Sequence, residues 1–241
     1  GPRPAVRNAL GDKGAAKNIA QKAHIPIIES SEQELNVIDQ ALHEATRIGY
    51  PLILKAASGG GGRGMRVVRN ANELKKVFNE ARSEAQNAFG DSTVFLEKFI
   101  ERPRHIEVQI VADNYGQVVH LFERDCSVQR RFQKVVEVAP SLNLQDKTRQ
   151  QLYEYAIRIA QAVNYNNIGT VEFLVDANEH IYFIEVNPRI QVEHTVTEMI
   201  TGVDLVKTQL FIATGYHLTD PEIGLGDQSQ ITKNGFAMQC R

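Results

Sequence analysis

Four consecutive glycines, Gly59 to Gly62, constrain this chain more than any other feature. Without Cβ atoms the backbone takes positive φ at no cost, and its N–H groups come close to a ligand. The flanks are extended: Pro51-Leu-Ile-Leu-Lys55 is a short apolar run, and Met65-Arg-Val-Val68 resumes it after Ser58-Gly-Gly-Gly-Gly-Arg-Gly64. A phosphate fits under such a strand, loop, strand unit. The spacing is not the Walker pattern and no helix follows, so the P-loop and Rossmann readings fail on context. A flexible linker is the alternative, although Lys55 before the loop and Arg63 within it are not what a spacer needs. The loop alone leaves both readings open.

The rest of the chain alternates helical and extended periodicities. Residues 14 to 23 read as a helix, and Ser31 with Glu34 forms a capping-box pattern ahead of Leu35, Ile38 and Leu42. Asn70 with Glu73 opens another helix carrying Leu74, Val77, Phe78, Ala81 and Ala85, and Val94-Phe-Leu96 is a strand. From Ile106 the period becomes two, with Ile106, Val108 and Ile110 on one face, and Asp113-Asn-Tyr-Gly116 turns the chain into a second strand through Leu121. A helix lies within 144 to 163, strands at Thr170 to Val175 and Ile181 to Val186, and a helical stretch from Val203 to Ala213. The expected architecture is α+β: a connector and first helix at 1–26, a small mixed lid subdomain at 27–99, and a larger antiparallel-sheet subdomain at 100–241. Gly1-Pro-Arg-Pro4 reads as a turn-like connector and Gly235 to Arg241 as a strand, so both ends look like cuts through a longer protein.

Charge excludes some partners. With 27 basic and 29 acidic residues the formal net charge is -2, so no global field attracts nucleic acid or an anionic membrane, and any anion site must be local. Arg124 to Lys134 mixes basic and aromatic residues, a combination also met in RNA binding, but the balanced charge argues against that partner. Cys126 and Cys240 lack metal-type spacing and suit a reducing compartment, either the cytoplasm or a mitochondrial matrix. No apolar run approaches the roughly 20 residues needed to span a bilayer.

The segment Glu185 to Glu193 carries the densest chemistry. Glu185 and Asn187 are two apart on a strand and point the same way. A two-residue loop at Ala177-Asn178 would set Glu172 opposite Phe183 and diagonal to Glu185, with Phe183 on the acids' own face; a loop longer by one would separate the acids. Two carboxylates and an amide oxygen on one face suit a hard cation shared with a polyphosphate, against the alternative of a solvated strand face. Beyond them Arg189, Gln191 and Glu193 alternate. They read either as an anion site with its own base or as a plain Arg189–Glu193 salt bridge. His105 is a candidate for a ribose hydroxyl, or structural.

Taken in order, Gly11-Asp-Lys13, Lys55 with Gly59-Gly-Gly-Gly-Arg-Gly-Met65, His105-Ile-Glu107, Glu123-Arg-Asp-Cys126, Gln129-Arg-Arg131, Gly169-Thr-Val-Glu-Phe173 and Glu185-Val-Asn-Pro-Arg-Ile-Gln-Val-Glu-His194 resemble the biotin carboxylases of the ATP-grasp superfamily. The likeness covers nearly the whole chain. Phe122-Glu-Arg-Asp-Cys126, Val135 to Pro140 and Ile231 to Ala237 most resemble the pyruvate carboxylase branch, with the acetyl-CoA and propionyl-CoA carboxylases as the alternative.

The resemblance implies that Lys13, Lys55, Gly61, Gly62 and His105 contact ATP, with Glu97, Lys98, Phe99 and Ile100 along the adenine. It assigns magnesium or manganese to Glu172, Glu185 and Asn187, and bicarbonate to Lys134, Arg189 and Val192, with Gln129 and Gln191 among the binding residues. Glu193 would deprotonate bicarbonate, which attacks the γ-phosphate to give carboxyphosphate. Carbon dioxide then passes to biotin, whose enolate Arg189 steadies. Biotin would arrive on a biotinyl carrier domain, and the full-length protein would be a homo-oligomer. Phe132 stands where the family has a histidine that touches ATP, a loss of about 1 kcal/mol, the size of one hydrogen bond. The family's N-terminal Rossmann-like domain and the segment with a biotin-contacting arginine are expected outside these 241 residues, which makes a non-catalytic nucleotide-binding fragment the competing reading.

Overall fold

In the computed structural model the described residues are all except Glu32, Ser58 to Gly64, Phe132 and the side chain of Lys13. The glycine loop with Gly61 and Gly62, the Phe132 substitution and the Lys13 side chain therefore lie outside the described residues. The chain divides into two compact units. One comprises Gly1–Ile27, Arg102–Arg130 and Lys134–Arg241; the other comprises Ile28–Glu101 with Arg131 and Gln133.

The smaller unit is a three-stranded antiparallel sheet, order β2-β1-β3, from β1 (Leu52–Ala56), β2 (Arg66–Val68) and β3 (Val94–Lys98). Helices α3 (Ile38–Ile48) and α4 (Ala71–Phe89) bury Ala41, Ala45, Leu74 and Phe78 against Leu52, Leu54 and Leu96. Asn70 caps α4 by accepting from the Glu73 amide at 3.0 Å, while Glu73 accepts from the Arg69 amide at 2.8 Å. The capping box expected at Ser31 does not form. Ser31 instead extends the sheet, its amide donating to the Leu96 carbonyl and its hydroxyl accepting from the Leu96 amide. The helix begins later, where Gln40 accepts from the amides of Asn36 and Val37. Sheet pairing competes successfully with a local cap here because it also buries Leu35, which bridges Val94.

The larger unit is a six-stranded sheet, order β8-β7-β4-β5-β6-β9. Its strands are β4 (Arg104–Ala112), β5 (Val118–Arg130), β6 (Gln133–Ala139), β7 (Asn167–Val175), β8 (Ile181–Asn187) and β9 (Ala237–Cys240). Alternation on β4 separates two faces. Ile106, Val108 and Ile110 join a core with Phe173 and Phe183. That core is covered by α1 (Pro4–Gly11), α2 (Lys13–Lys22) and α5 (Asp146–Ala162). Val111 turns to the other face, where α7 (Leu205–Ala213) packs through Leu205 and Ile212. Glu107 and Gln109 share that second face. No helix among the described residues is long and apolar enough to cross a membrane.

Three sequence expectations are corrected. The connector expected at Gly1–Pro4 ends one residue early, at a helix the sequence reading did not place: α1 starts at Pro4, because proline suits the first helical position and Val6 and Leu10 are buried. Helix α6 (His194–Thr201) follows directly on Glu193, so the alternation of Arg189, Gln191 and Glu193 is not that of a strand. The β7–β8 hairpin also differs in register. Asp176 closes the turn on His180, and Phe173 pairs with Phe183, one residue off the expected pairing. A bulge at Ile184 then returns the strand, so Glu172 pairs directly with Glu185 and Thr170 with Asn187. The acids share a face after all, but Phe183 lies on the opposite one, in the core with Phe173.

Replacing Asn70 by Ala is expected to destabilise the smaller unit by about 1 kcal/mol, with Asn70→Ser retaining most of the difference. Urea unfolding of the two variants measures it, and equal midpoints for Ala and wild type would refute the cap.

Candidate active site

The second face of the larger sheet carries a buried polar network where apolar packing would otherwise be expected. Glu107, Arg124, Thr170 and Thr197 have no measurable exposure, and Glu172, Gln191 and Glu193 are buried. Such groups persist away from water only when paired.

Arg124 is the base of the network. A bulge of Leu121 and Phe122 on β5 puts Phe122 at φ 65° and sets Arg124 opposite Glu107. The guanidinium donates to Glu107 (2.5 Å), Gln109 (2.7 Å), Thr197 (2.9 Å), Thr170 (3.1 Å) and Gln191 (3.1 Å). One planar fork thereby links β4, β5, β7, the 188–193 turn and α6.

Lys134 forms the next layer. Its ammonium donates to Glu107, to Glu172 at 2.8 Å and to Glu193 at 2.8 Å. Burial would lower its proton affinity, but the charges of Glu107 and Glu172 outweigh burial and raise it, so the lysine is a fixed cation. Glu172 also accepts from Asn187 (2.8 Å) and Gln191 (3.0 Å), and His105 Nε2 lies 2.6 Å from it. Burial would raise the Glu172 carboxyl, yet His105 and then Lys134 hold it well below the usual carboxylate range. Gln129 steadies the other side of the His105 ring, 2.9 Å from Nδ1. For Glu193, burial is again outweighed by the hydrogen bond and charge of Lys134, and the carboxyl stays below its ordinary value. It is an ionised acceptor at neutral pH.

The alternative reading, a plain Arg189–Glu193 salt bridge, is not among the ion pairs of the described residues. Glu193 pairs instead with Lys134 and Arg241, the latter at 2.6 Å. Arg189 is exposed and donates to Asn187 Oδ1 and the Ile190 carbonyl, both at 3.2 Å. Val192 is 60% exposed beside it, open to a ligand from solvent. Of the residues singled out in the sequence, the fold places His105, Gln129, Lys134, Glu172, Glu185, Asn187, Gln191 and Glu193 together, with Arg189 at the margin. Sequence reasoning missed Arg124, Glu107, Glu137 and Arg241 as parts of the network. The first two were detectable as charges at paired positions in strands that are otherwise buried; Arg241 meets Glu193 only through the β6–β9 pairing, which no local pattern announces.

Glu185 faces Glu172 across the ladder without a hydrogen bond or ion pair of its own among the described residues. Two opposed carboxylates with the Asn187 amide form an all-oxygen set suited to a hard divalent cation, so these residues fit magnesium. In the smaller unit Lys55 is ion-paired with Glu97, and Lys98 donates to the carbonyls of Gly49 and Tyr50, both at 2.9 Å. The Phe99 amide donates to the Pro51 carbonyl, and Phe99 and Ile100 are half-buried.

Antiparallel sheets and helices of this arrangement are those of the ATP-grasp fold. The chain belongs to the family described as carbamoyl-phosphate synthase L chain, ATP binding domain, whose model matches residues 12–221. It is 55% identical over its whole length to pyruvate carboxylase from Schizosaccharomyces pombe, of which it covers 20%. Among solved structures it resembles a biotin carboxylase β,γ-ATP complex from Campylobacter jejuni, with TM-score 0.90 and 48% identity over all of this chain and 52% of that one. It is equally similar, at TM-score 0.90 and 46% identity, to the biotin carboxylase domain dimer of Hydrogenobacter thermophilus 2-oxoglutarate carboxylase in complex with MgADP, ADP and bicarbonate, covering 52% of that chain. The chain therefore spans about a fifth of the length of the curated relatives it matches.

Arg124→Met would leave Glu107 buried with half its pairing, an expected cost of about 3–5 kcal/mol that Glu107→Leu in the same chain partly recovers. Urea unfolding checks both, and a cost under about 1 kcal/mol would show that Arg124 is not the base of the network. The acid response follows from the signs above. Glu172 and Glu193 sit below their ordinary value of 4.5, so their stabilisation is complete above that pH and is lost as pH falls through their folded values. Denaturation midpoints across the acid range should fall less steeply in Glu172→Gln than in wild type.

Proposed function

We propose that this chain is the ATP-grasp part of a biotin carboxylase, most like that of pyruvate carboxylase, and that it serves ATP-dependent carboxylation of biotin with bicarbonate through carboxyphosphate. The observation that carries the proposal is the Lys134 ammonium at 2.8 Å from both Glu172 and Glu193, which couples a cation-binding carboxylate to an ionised base. In this reading residues 27–99 act as the lid subdomain: Lys55, Gly61, Gly62, Glu97, Lys98, Phe99 and Ile100, with Lys13 and His105 from outside it, contact the nucleotide. Residues 100–241 supply the metal and bicarbonate residues.

Glu172, Glu185 and Asn187 hold magnesium or manganese, which when bound spreads phosphoryl charge. Lys134, Arg189 and Val192 bind bicarbonate, with Gln129 and Gln191 holding His105 and Glu172 in place. Glu193 takes the bicarbonate proton, and being ionised at neutral pH suits it to that role. Arg189 is exposed and, among the described residues, donates to Asn187 and the Ile190 carbonyl, so it can turn toward biotin carried on another domain. The acceptor of the carboxyl group, by likeness to the relatives, is pyruvate, and the full-length protein acts as a homo-oligomer in the cytoplasm or a mitochondrial matrix.

The test is ATP hydrolysis by the full-length protein with free biotin, with and without bicarbonate. Stimulation by bicarbonate is expected, and its absence while ATP still binds would overturn the carboxylase reading. Glu193→Gln should abolish turnover while ATP affinity stays within about twofold. A large loss of ATP affinity would remove Glu193 from the role of base.

A further inference from the structure

Glu137, on β6, is fully buried, yet neither carboxylate oxygen has an aligned hydrogen-bond donor among the described residues. Its one ion contact among the described residues is Arg241, whose Nη2 lies 2.7 Å from Oε1. The same nitrogen lies 2.6 Å from Glu193 Oε2. A single guanidinium nitrogen thus stands between two carboxyl groups with unequal support. Glu193 has Lys134 as well; among the described residues Glu137 has Arg241 alone.

The charged groups facing Glu137 come from three elements: Arg241 beyond β9, Glu193 ahead of α6 and Glu107 on β4. Two of the three are acids, and Glu107 is already engaged by Arg124 and Lys134. Burying a second ionised carboxylate against a cation it must share is costly, and the less supported group relieves that cost by taking a proton. The direction of its proton affinity agrees: burial raises it, Arg241 opposes, and Glu193 and Glu107 raise it further.

We propose that Glu137 holds a proton while Glu193 is ionised, and that the two exchange these roles through Arg241, which pairs with whichever one carries the charge. This charge sharing is a property of the resting site. Its catalytic consequence rests on the reading of Glu193 as base. When Glu193 accepts the bicarbonate proton its charge disappears, Arg241 passes to Glu137, and the Glu137 proton leaves to solvent. One carboxyl of the pair stays protonated and one ionised throughout, so the base gains a proton without leaving Arg241 unpaired. Glu137 is then a positioning residue, acting on the base through the arginine.

Infrared difference spectroscopy of the nucleotide-free full-length protein at neutral pH tests the proposal. Glu137→Gln is expected to remove one protonated-carboxyl carbonyl band present in wild type. Glu193→Gln, which cedes Arg241 wholly to Glu137, is expected to remove the same band through ionisation of Glu137. Identical spectra for wild type and Glu137→Gln, or survival of the band in Glu193→Gln, would overturn it. Should Glu137→Gln not fold, the Glu193→Gln spectrum decides alone, with 13C-labelled glutamate identifying the band. None of these spectra requires turnover, so this inference and the carboxylase reading fail separately.

Discussion

One ammonium group, that of Lys134, lies among three buried carboxylates contributed by β4, β7 and the turn before α6, and the geometry of the whole face depends on it. In a low-dielectric interior those acids cannot stand close together without a cation, and a lone lysine could not stay charged without the acids. Arg124 works from beneath, fixing Glu107 and Gln191 so that the lysine has a rigid partner on one side and the carboxylates of Glu172 and Glu193 on the other. Arg124, Lys134, Glu107 and Glu172 are held on strands, which favours tight geometry, while Gln191 and Glu193 come from the turn before α6.

The parity of β4 makes this possible. Its even positions build the core under α1, α2 and α5, while Glu107 and Gln109 at odd positions reach the polar face. Neighbouring strands repeat the division, with Phe173 inward and Glu172 outward on β7. Each core residue therefore also orients a polar neighbour, and packing on one side of the sheet aims the chemistry on the other.

This division shows what a sequence can and cannot disclose. The period-two runs of β4 and β7, the Asn70 cap and the position of most helices were legible because each is a local signal. So was the set of acids and amides from Glu172 to Glu193, which stands out by residue type and by likeness to a family. The Ser31 cap failed because a tertiary strand pairing competed with it. Arg189, Gln191 and Glu193 alternate along the sequence, but the chain turns into α6 there, and Gln191 and Glu193 are buried while Arg189 is exposed. Arg241 depends on a pairing between strands about a hundred residues apart, which no window along the chain contains.

The hairpin between β7 and β8 contains two departures from regular pairing that cancel: a turn one residue longer than a two-residue loop, and a bulge at Ile184. Either alone would rotate Glu185 to the apolar side of the sheet, so the two form a matched pair. Glu185 stays on the polar face only if a change at one is matched at the other, although they lie at different points of the hairpin. A one-residue deletion at an exposed turn, ordinarily among the most tolerated of changes, would here send a carboxylate into the core.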